Sequence, residues 1–168
     1  MKFIDTHKDR WHTLGGEDGP AACINPVPNL LLSVEQWHAF RAQWPAGMPV
    51  GVALANDAEV KEIAADLPHL SLVTLHFPKW VDGRAYSQAH LLRSRYRFAG
   101  EVRATGEVLV DMLPLLARTG FDAVQLRAGE SVEAAQRALG FFPAHYQGAI
   151  GQSGTATKPH FAESAKTA

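Results

Sequence analysis

Short apolar runs alternate with stretches of helical spacing along most of the chain, and capping residues stand where one gives way to the other. Leu30-Leu31-Leu32 leads into Ser33-Val34-Glu35-Gln36, where Ser33 can cap a helix and Gln36 can complete a capping box. The helix predicted over 33–44 is stopped by Pro45 and Gly47. Val50 to Leu54 is a buried-strand run, followed by a second capping pattern at Asn56 and Glu59 and a second helix closed by Pro68. Leu70 to Phe77 predicts a third strand and 84–97 a third helix. Residues 101–104 predict a fourth strand, 107–118 a fourth helix ending before Gly120, and Phe121 to Leu126 a fifth strand. Ser131 caps a fifth helix ending at Gly140, and residues 144–147 make a last short strand.

Strands joined by helices through short loops are what parallel βαβ units require, so the fold class is α/β with a mainly parallel sheet. An open doubly wound sheet is the first expectation, and a partial (βα) barrel the alternative, because the two differ only in how the sheet closes. Residues 1–14 carry two short apolar runs around a polar centre, which suits a small N-terminal hairpin or an edge strand. Residues 1–150 form one domain on this pattern, and 151–168 have the small, polar composition of a disordered tail.

Composition narrows the function. Sixteen Lys+Arg against seventeen Asp+Glu give a net charge of −1, without the electrostatic footprint of a nucleic-acid binder. The amino terminus is charged from the start, and prolines break every long charge-free stretch, so the pattern predicts a cytoplasmic protein without a membrane partner. Cys23 is the single cysteine, which excludes an internal disulfide, a CxxC pair and an all-cysteine cluster, and no basic neighbour in sequence activates it as a nucleophile. No GxGxxG, P-loop or HExxH pattern occurs, so neither a dinucleotide cofactor nor a metal is expected.

Parallel sheets bind ligands beyond the carboxyl ends of their strands, which directs attention to the loops there. From Arg84 through Arg103 the chain holds Arg84, Arg93, Arg95, Arg97 and Arg103 against Glu101 alone, a local charge of +4. In helical projection Ala85, Ala89, Leu92 and Tyr96 share an apolar stripe, Arg93 lies on the polar stripe beside it, and Arg95 falls inside the apolar arc with Leu91. A guanidinium there calls for a carboxylate (Asp82, Glu101 or Asp111) or a bound anion. Thr105 and Gly106 at the start of the predicted fourth helix could present free N–H groups and, with Arg103, form an anion pocket. His76 at a strand end could pair with Asp82 as an acid/base group, although a hydrogen-bonded structural histidine is the simpler account. Trp80, set in a turn between charged residues, is the tryptophan best placed to be an exposed contact.

The run Phe77-Pro78-Lys79-Trp80-Val81-Asp82-Gly83-Arg84-Ala85-Tyr86-Ser87, then Leu91-Leu92-Arg93-Ser94-Arg95, Gly100-Glu101-Val102-Arg103-Ala104 and Gly120-Phe121-Asp122 resembles a bacterial family of undefined function. Its members are commonly labelled oxidoreductases of sulfite reduction. The resemblance implies an association with assimilatory sulfite reductase and a place in sulfur assimilation. The chain itself has no cysteine set or dinucleotide fingerprint for moving electrons. Guanidinium forks match sulfite, sulfate and related oxyanions, and they equally match an acidic partner surface.

Two classes of function follow. The first is an accessory or partner-binding protein; the second is a small enzyme using Asp82, Arg84 and Arg103 on an anionic substrate. An exposed apolar patch around Trp80 with dispersed arginines favours the first, and a closed pocket where those side chains converge favours the second.

Overall fold

The computed structural model describes residues 1–13 and 25–141. Cys23, the strand expected at 144–147 and the tail from Gly151 lie outside the described residues. Among the described residues no helix is long and apolar enough to cross a membrane.

Strands β3 (Leu30–Ser33), β4 (Val50–Leu54), β5 (Leu72–Phe77), β6 (Glu101–Gly106) and β7 (Ala123–Val124) lie side by side in sequence order and are all parallel. The two N-terminal strands sit at opposite edges, β1 (Lys2–Phe3) against β7 and β2 (His12–Thr13) against β3. They are edge strands, and the hairpin alternative does not form. Because the order never reverses from β3 to β7, the sheet has no switch point and is not doubly wound. It curls into a half-barrel, the second of the two architectures expected.

The convex face of the curl carries the core. Leu30 and Leu32, Val50, Val52 and Leu54, Val73, Leu75 and Phe77, Val102 and Ala104, and Val124 alternate along their strands and are all buried in one cluster. Against them pack α1 (Val34–Phe40) with Trp37, α2 (Arg84–Ser94) with Ala85, Ala89 and Leu92, α3 (Leu113–Thr119) with Leu113 and Leu116, and α4 (Val132–Gly140) with Ala135. The capping box predicted at Ser33 and Gln36 is present, and the Ser131 hydroxyl accepts from the Ala134 N–H at the start of α4.

Two predicted helices differ. The second is replaced by 3-10 turns at Val60–Ile63 and Leu67–His69. Its cap is formed by Glu59 and Glu62 rather than Asn56, and Pro68 lacks the N–H and clashes with the carbonyl an α-helix would place four residues earlier. The fourth starts late because β6 runs on to Gly106, whose φ of +90° turns the chain out of the sheet. A 3-10 turn at Val110–Met112 follows, and Pro114 lies in the first turn of α3, where its missing N–H costs nothing.

The concave face is closed by the segment between β1 and β2. Chain length leaves a flat sheet almost no slack. Six strand spacings of a flat sheet would separate β1 from β2 by roughly 29 Å, while the links from Phe3 to His12 reach at most about 32 Å fully extended. A turn at Asp5, where the Lys8 N–H donates to the Asp5 carbonyl at 3.0 Å, shortens that reach further. Trp11 lies buried on the inner face, its ring 3.1 Å from where a Cβ on Gly51 would stand, so Gly51 makes room for the indole between Leu31 and Leu72.

Arg103 locks the strap in place. Its side chain projects from the middle of β6 and is 4% exposed. Nε and Nη2 donate to Glu101 Oε1 at 3.0 and 2.8 Å, and Nη1 donates to Asp9 Oδ2 on the strap. Lys2 Nζ meets the other Glu101 oxygen at 3.0 Å and ties β1 into the same network. Burial alone would push the Glu101 carboxyl up, but Arg103 and Lys2 together outweigh it and hold the group below its ordinary range.

Arg103→Ala would leave Asp9 without its partner and Glu101 with Lys2 alone, so the expected loss is about 3–5 kcal/mol of unfolding free energy, with Arg103→Lys recovering part of it. Urea denaturation of the variants measures this directly. A loss below about 1 kcal/mol would mean that the strap is held by Trp11 packing alone.

Candidate functional site

The loop between β5 and α2 projects beyond the carboxyl end of β5, at the rim of the half-barrel. Pro78 cannot continue the ladder, so the chain leaves the sheet after Phe77 and folds back through a turn in which the Asp82 N–H donates to the Lys79 carbonyl at 3.0 Å. Asp82 then organises the start of α2. Its Oδ1 accepts from the Arg84 backbone N–H at 3.2 Å and from Arg84 Nε at 3.1 Å, while Oδ2 accepts from Nη2 at 2.8 Å. This fork holds the Asp82 carboxyl well below the usual carboxylate range, and the nearby Asn56 amide adds to the effect although it falls outside strict hydrogen-bond geometry. Tyr86, one turn into the helix, packs edge-on against Phe77 with ring centroids 5.1 Å apart, and this burial pushes its phenol up to about 12.

Both ends of the loop are thus anchored while its tip stands in solvent. Trp80 is 58% exposed and Val81 65%. Lys79 and Arg84 flank them, and both are exposed. The patch is apolar at its centre and basic at its border.

The other arginines do not join this patch. α2 runs antiparallel to the strands, so Arg84 and Arg93 are separated by about 13 Å along the helix axis. Arg93 reaches the opposite end of the sheet, where Nε donates to the Gly120 carbonyl at 2.9 Å and Nη1 to the carbonyls of Phe98 and, at 2.9 Å, Gly100. Its Nη2 pairs with Asp122, whose Oδ2 also accepts the Val102 N–H at 2.8 Å. Arg93 is a staple joining the end of α2 to the starts of β6 and β7. Arg103 is enclosed by Glu101 and Asp9 on the concave face. The local +4 seen in sequence is largely matched by Asp9, Asp82 and Asp122, which come from elsewhere in the chain.

Arg95 departs from the helical projection. The buried side of α2 is centred on Ala85, Gln88, Ala89 and Leu92, leaving Leu91 and Arg95 on its exposed rim. The Arg95 guanidinium lies over the Tyr96 ring at 5.6 Å, and among the described residues no carboxylate comes within ion-pair distance of it. Thr105 is a strand residue because β6 extends past it, so it does not cap a helix. It shares the inner face with His76, in register across β5 and β6, with Thr105 Oγ1 and His76 Nδ1 3.5 Å apart. His76 is exposed, and Asp82 is committed to Arg84 rather than to it.

The cavities lie elsewhere. One of about 550 Å³ opens at the amino ends of the strands between Trp44, Arg41, Asp66 and His69, and contains none of the candidate site residues. Another of about 390 Å³ lies over the strap, with Arg103 in its wall. Sequence inspection missed Asp9 as the partner of Arg103, and Asp66 as the partner of Arg41, whose Nη1 donates to both Asp66 carboxylate oxygens. Both are pairings across long sequence separations, for which no local spacing signal exists. Among the described residues no group of His, Cys, Asp and Glu has the geometry to hold a metal ion.

A family described as a bacterial protein of unknown function, DUF934, matches residues 51–157. The chain belongs to this family. The matched region begins inside β4 and includes the rim loop and all of α2, together with Arg84, Arg93, Arg95 and Arg103. No curated protein matches the chain.

The Asp82–Arg84 fork predicts a pH signature. A carboxyl whose folded pKa is depressed adds stability above its unfolded value, near 3.9, and that stability is lost as pH falls from there through the folded value. Asp82→Asn is therefore expected to flatten the acid limb of a plot of Tm against pH below about pH 4. Superimposable limbs for variant and wild type would mean that the fork does not form in solution.

Proposed function

We propose that this chain is an accessory protein of assimilatory sulfite reduction that acts by docking onto a partner, with the rim loop as its contact. The observation that carries the mode of action is the exposure of Trp80 and Val81 on a loop whose ends are pinned by Asp82–Arg84 and by Tyr86 against Phe77. A tryptophan displayed on a fixed backbone loses little conformational freedom on binding and is among the residues that most often dominate interface energies. Lys79 and Arg84 at its border favour an acidic surface. The pathway comes from the family resemblance, which points to assimilatory sulfite reductase as the partner.

The alternative, an enzyme acting on an anionic substrate, needs Asp82, Arg84 and Arg103 to converge. Arg84 is on the rim and paired with Asp82, while Arg103 is buried against the strap and paired with Asp9 and Glu101. That dispersal weighs against a catalytic constellation and against a single oxyanion pocket built from Arg84, Arg93 and Arg103.

Biolayer interferometry with purified assimilatory sulfite reductase tests the proposal. Saturable binding is expected, weakening as salt rises and falling at least tenfold in Trp80→Ala, an exposed site whose loss leaves Tm unchanged. Absence of binding by the wild type would overturn the docking assignment. Sulfite and sulfate titrated calorimetrically in parallel should give no saturable heat; heat that disappears in Arg84→Ala would favour the oxyanion alternative.

A further inference from the structure

We propose that the groove between α2 and residues 58–61 receives a short extended segment of a partner protein, one that carries an apolar side chain followed by an acidic one. This rests on the docking function proposed above and gives that partner a second point of attachment. The groove encloses about 350 Å³, room for one or two side chains. Ala58, Val60, Leu91 and Tyr96 make its apolar lining, and Leu91 is 38% exposed although it belongs to a helix whose other large apolar side chain, Leu92, is fully buried.

The polar groups at the two ends differ in kind. At one end stands Arg95, spread over Tyr96 and without a carboxylate among the described residues. Lys61 lies in the same wall, with its charge matched by Glu59 at 2.6 Å. Arg95 is therefore the cation left for an incoming acid. At the other end are Ser87 and Gln88. The Ser87 hydroxyl has no partner among the described residues. Gln88 is buried, and its Nε2 donates to the Ala55 and Ala58 carbonyls at 2.8 and 2.9 Å, which fixes the amide orientation and leaves Oε1 without a donor. One end of the groove offers a positive charge and the other a hydroxyl.

The spacing suits an extended chain. From Gln88 to Arg95 the helix axis rises about 10 Å, the length of roughly three residues of extended backbone. A segment lying there can set an apolar side chain on Leu91 and Tyr96 and an acidic one on Arg95. Arg84, Ser87, Leu91 and Arg95 recur at helical spacing on one exposed face. That face starts at the rim loop with Trp80, so one partner could engage both.

The test uses the full chain and a fluorescein-labelled peptide, Leu-Ala-Leu-Glu-Glu with an amidated carboxyl end, alongside its Leu-Ala-Leu-Gln-Gln analogue. Fluorescence anisotropy is expected to show saturable binding of the acidic peptide and at least tenfold weaker binding of the glutamine peptide. Arg95→Gln and Leu91→Asp should each weaken the acidic peptide at least tenfold with Tm unchanged, and Trp80→Ala should leave it unaffected. No saturable binding by the wild type, equal binding of both peptides, or unchanged binding in Arg95→Gln would overturn the groove assignment. The two proposals fail separately. Sulfite reductase binding that is lost in Trp80→Ala but intact in Arg95→Gln removes the groove and keeps the rim loop, whereas peptide binding without sulfite reductase binding keeps the groove and removes that partner.

Discussion

The buried guanidinium of Arg103 is the charge around which the rest of the molecule is arranged. It needs compensation because a lone cation in the middle of a sheet face costs several kcal/mol after relaxation. Glu101 supplies part of that compensation from the same strand and Asp9 supplies the rest from the strap. Drawing Asp9 onto β6 carries the strap across the concave face, seats Trp11 over Gly51 and delivers β2 to the far edge. Lys2 on Glu101 holds the first edge strand against the same network. Without a shared anchor, two edge strands of two residues each would have little to hold them, since pairing so short does not stabilise itself.

A sheet filled on its concave side by its own chain differs from a full (βα) barrel, in which layered side chains from all the strands fill the interior. Here the strap takes their place over the inner face, and the strand ends nearest the strap are left for structure. The loop after β5 extends clear of the curl, which is why Trp80 and Val81 reach solvent while His76 and Thr105 remain at the lip of the inner face. The arginines follow the same division. Those pointing into the fold, Arg93 and Arg103, are consumed by carbonyls and carboxylates, and those pointing out, Arg84 and Arg95, frame exposed apolar side chains.

Much of this was legible from local pattern. The alternating buried runs of β3 to β6, the Ser33 and Ser131 caps, the left-handed Gly120 at the end of α3 and the exposure of Trp80 all follow from residues within a few positions of one another. What sequence did not reveal depends on partners far along the chain. The choice between an open sheet and a half-barrel turned on where residues 2–3 and 12–13 pair, and such short segments carry no periodicity. The motif arginines looked like one positive cluster because Asp9 and Asp122, which neutralise two of them, lie outside the run in which the charges were counted. Arg95 misled for a geometric reason: α2 ends at Ser94, and Gln88 takes a buried place in the arc that an apolar-stripe argument assigns to Arg95 and Leu91.

The neutralisation of Arg93 and Arg103 bears on what kind of function this surface can support. An oxyanion entering at either residue would have to displace a carboxylate or a set of carbonyls already within 3 Å, exchanging one charge-assisted contact for another at little net gain. A macromolecular partner faces no such exchange at the rim. It gains by covering the Trp80 and Val81 side chains, and the Asp82–Arg84 fork can stay intact beneath it because the remaining guanidinium N–H groups are still free to meet an acidic neighbour. The same ion pair that fixes the loop therefore leaves the arginine able to contribute at an interface border, where rim charges set orientation and encounter rate more than affinity. Under that division of labour the apolar tip determines how tightly a partner is held, and the basic border determines how quickly it arrives.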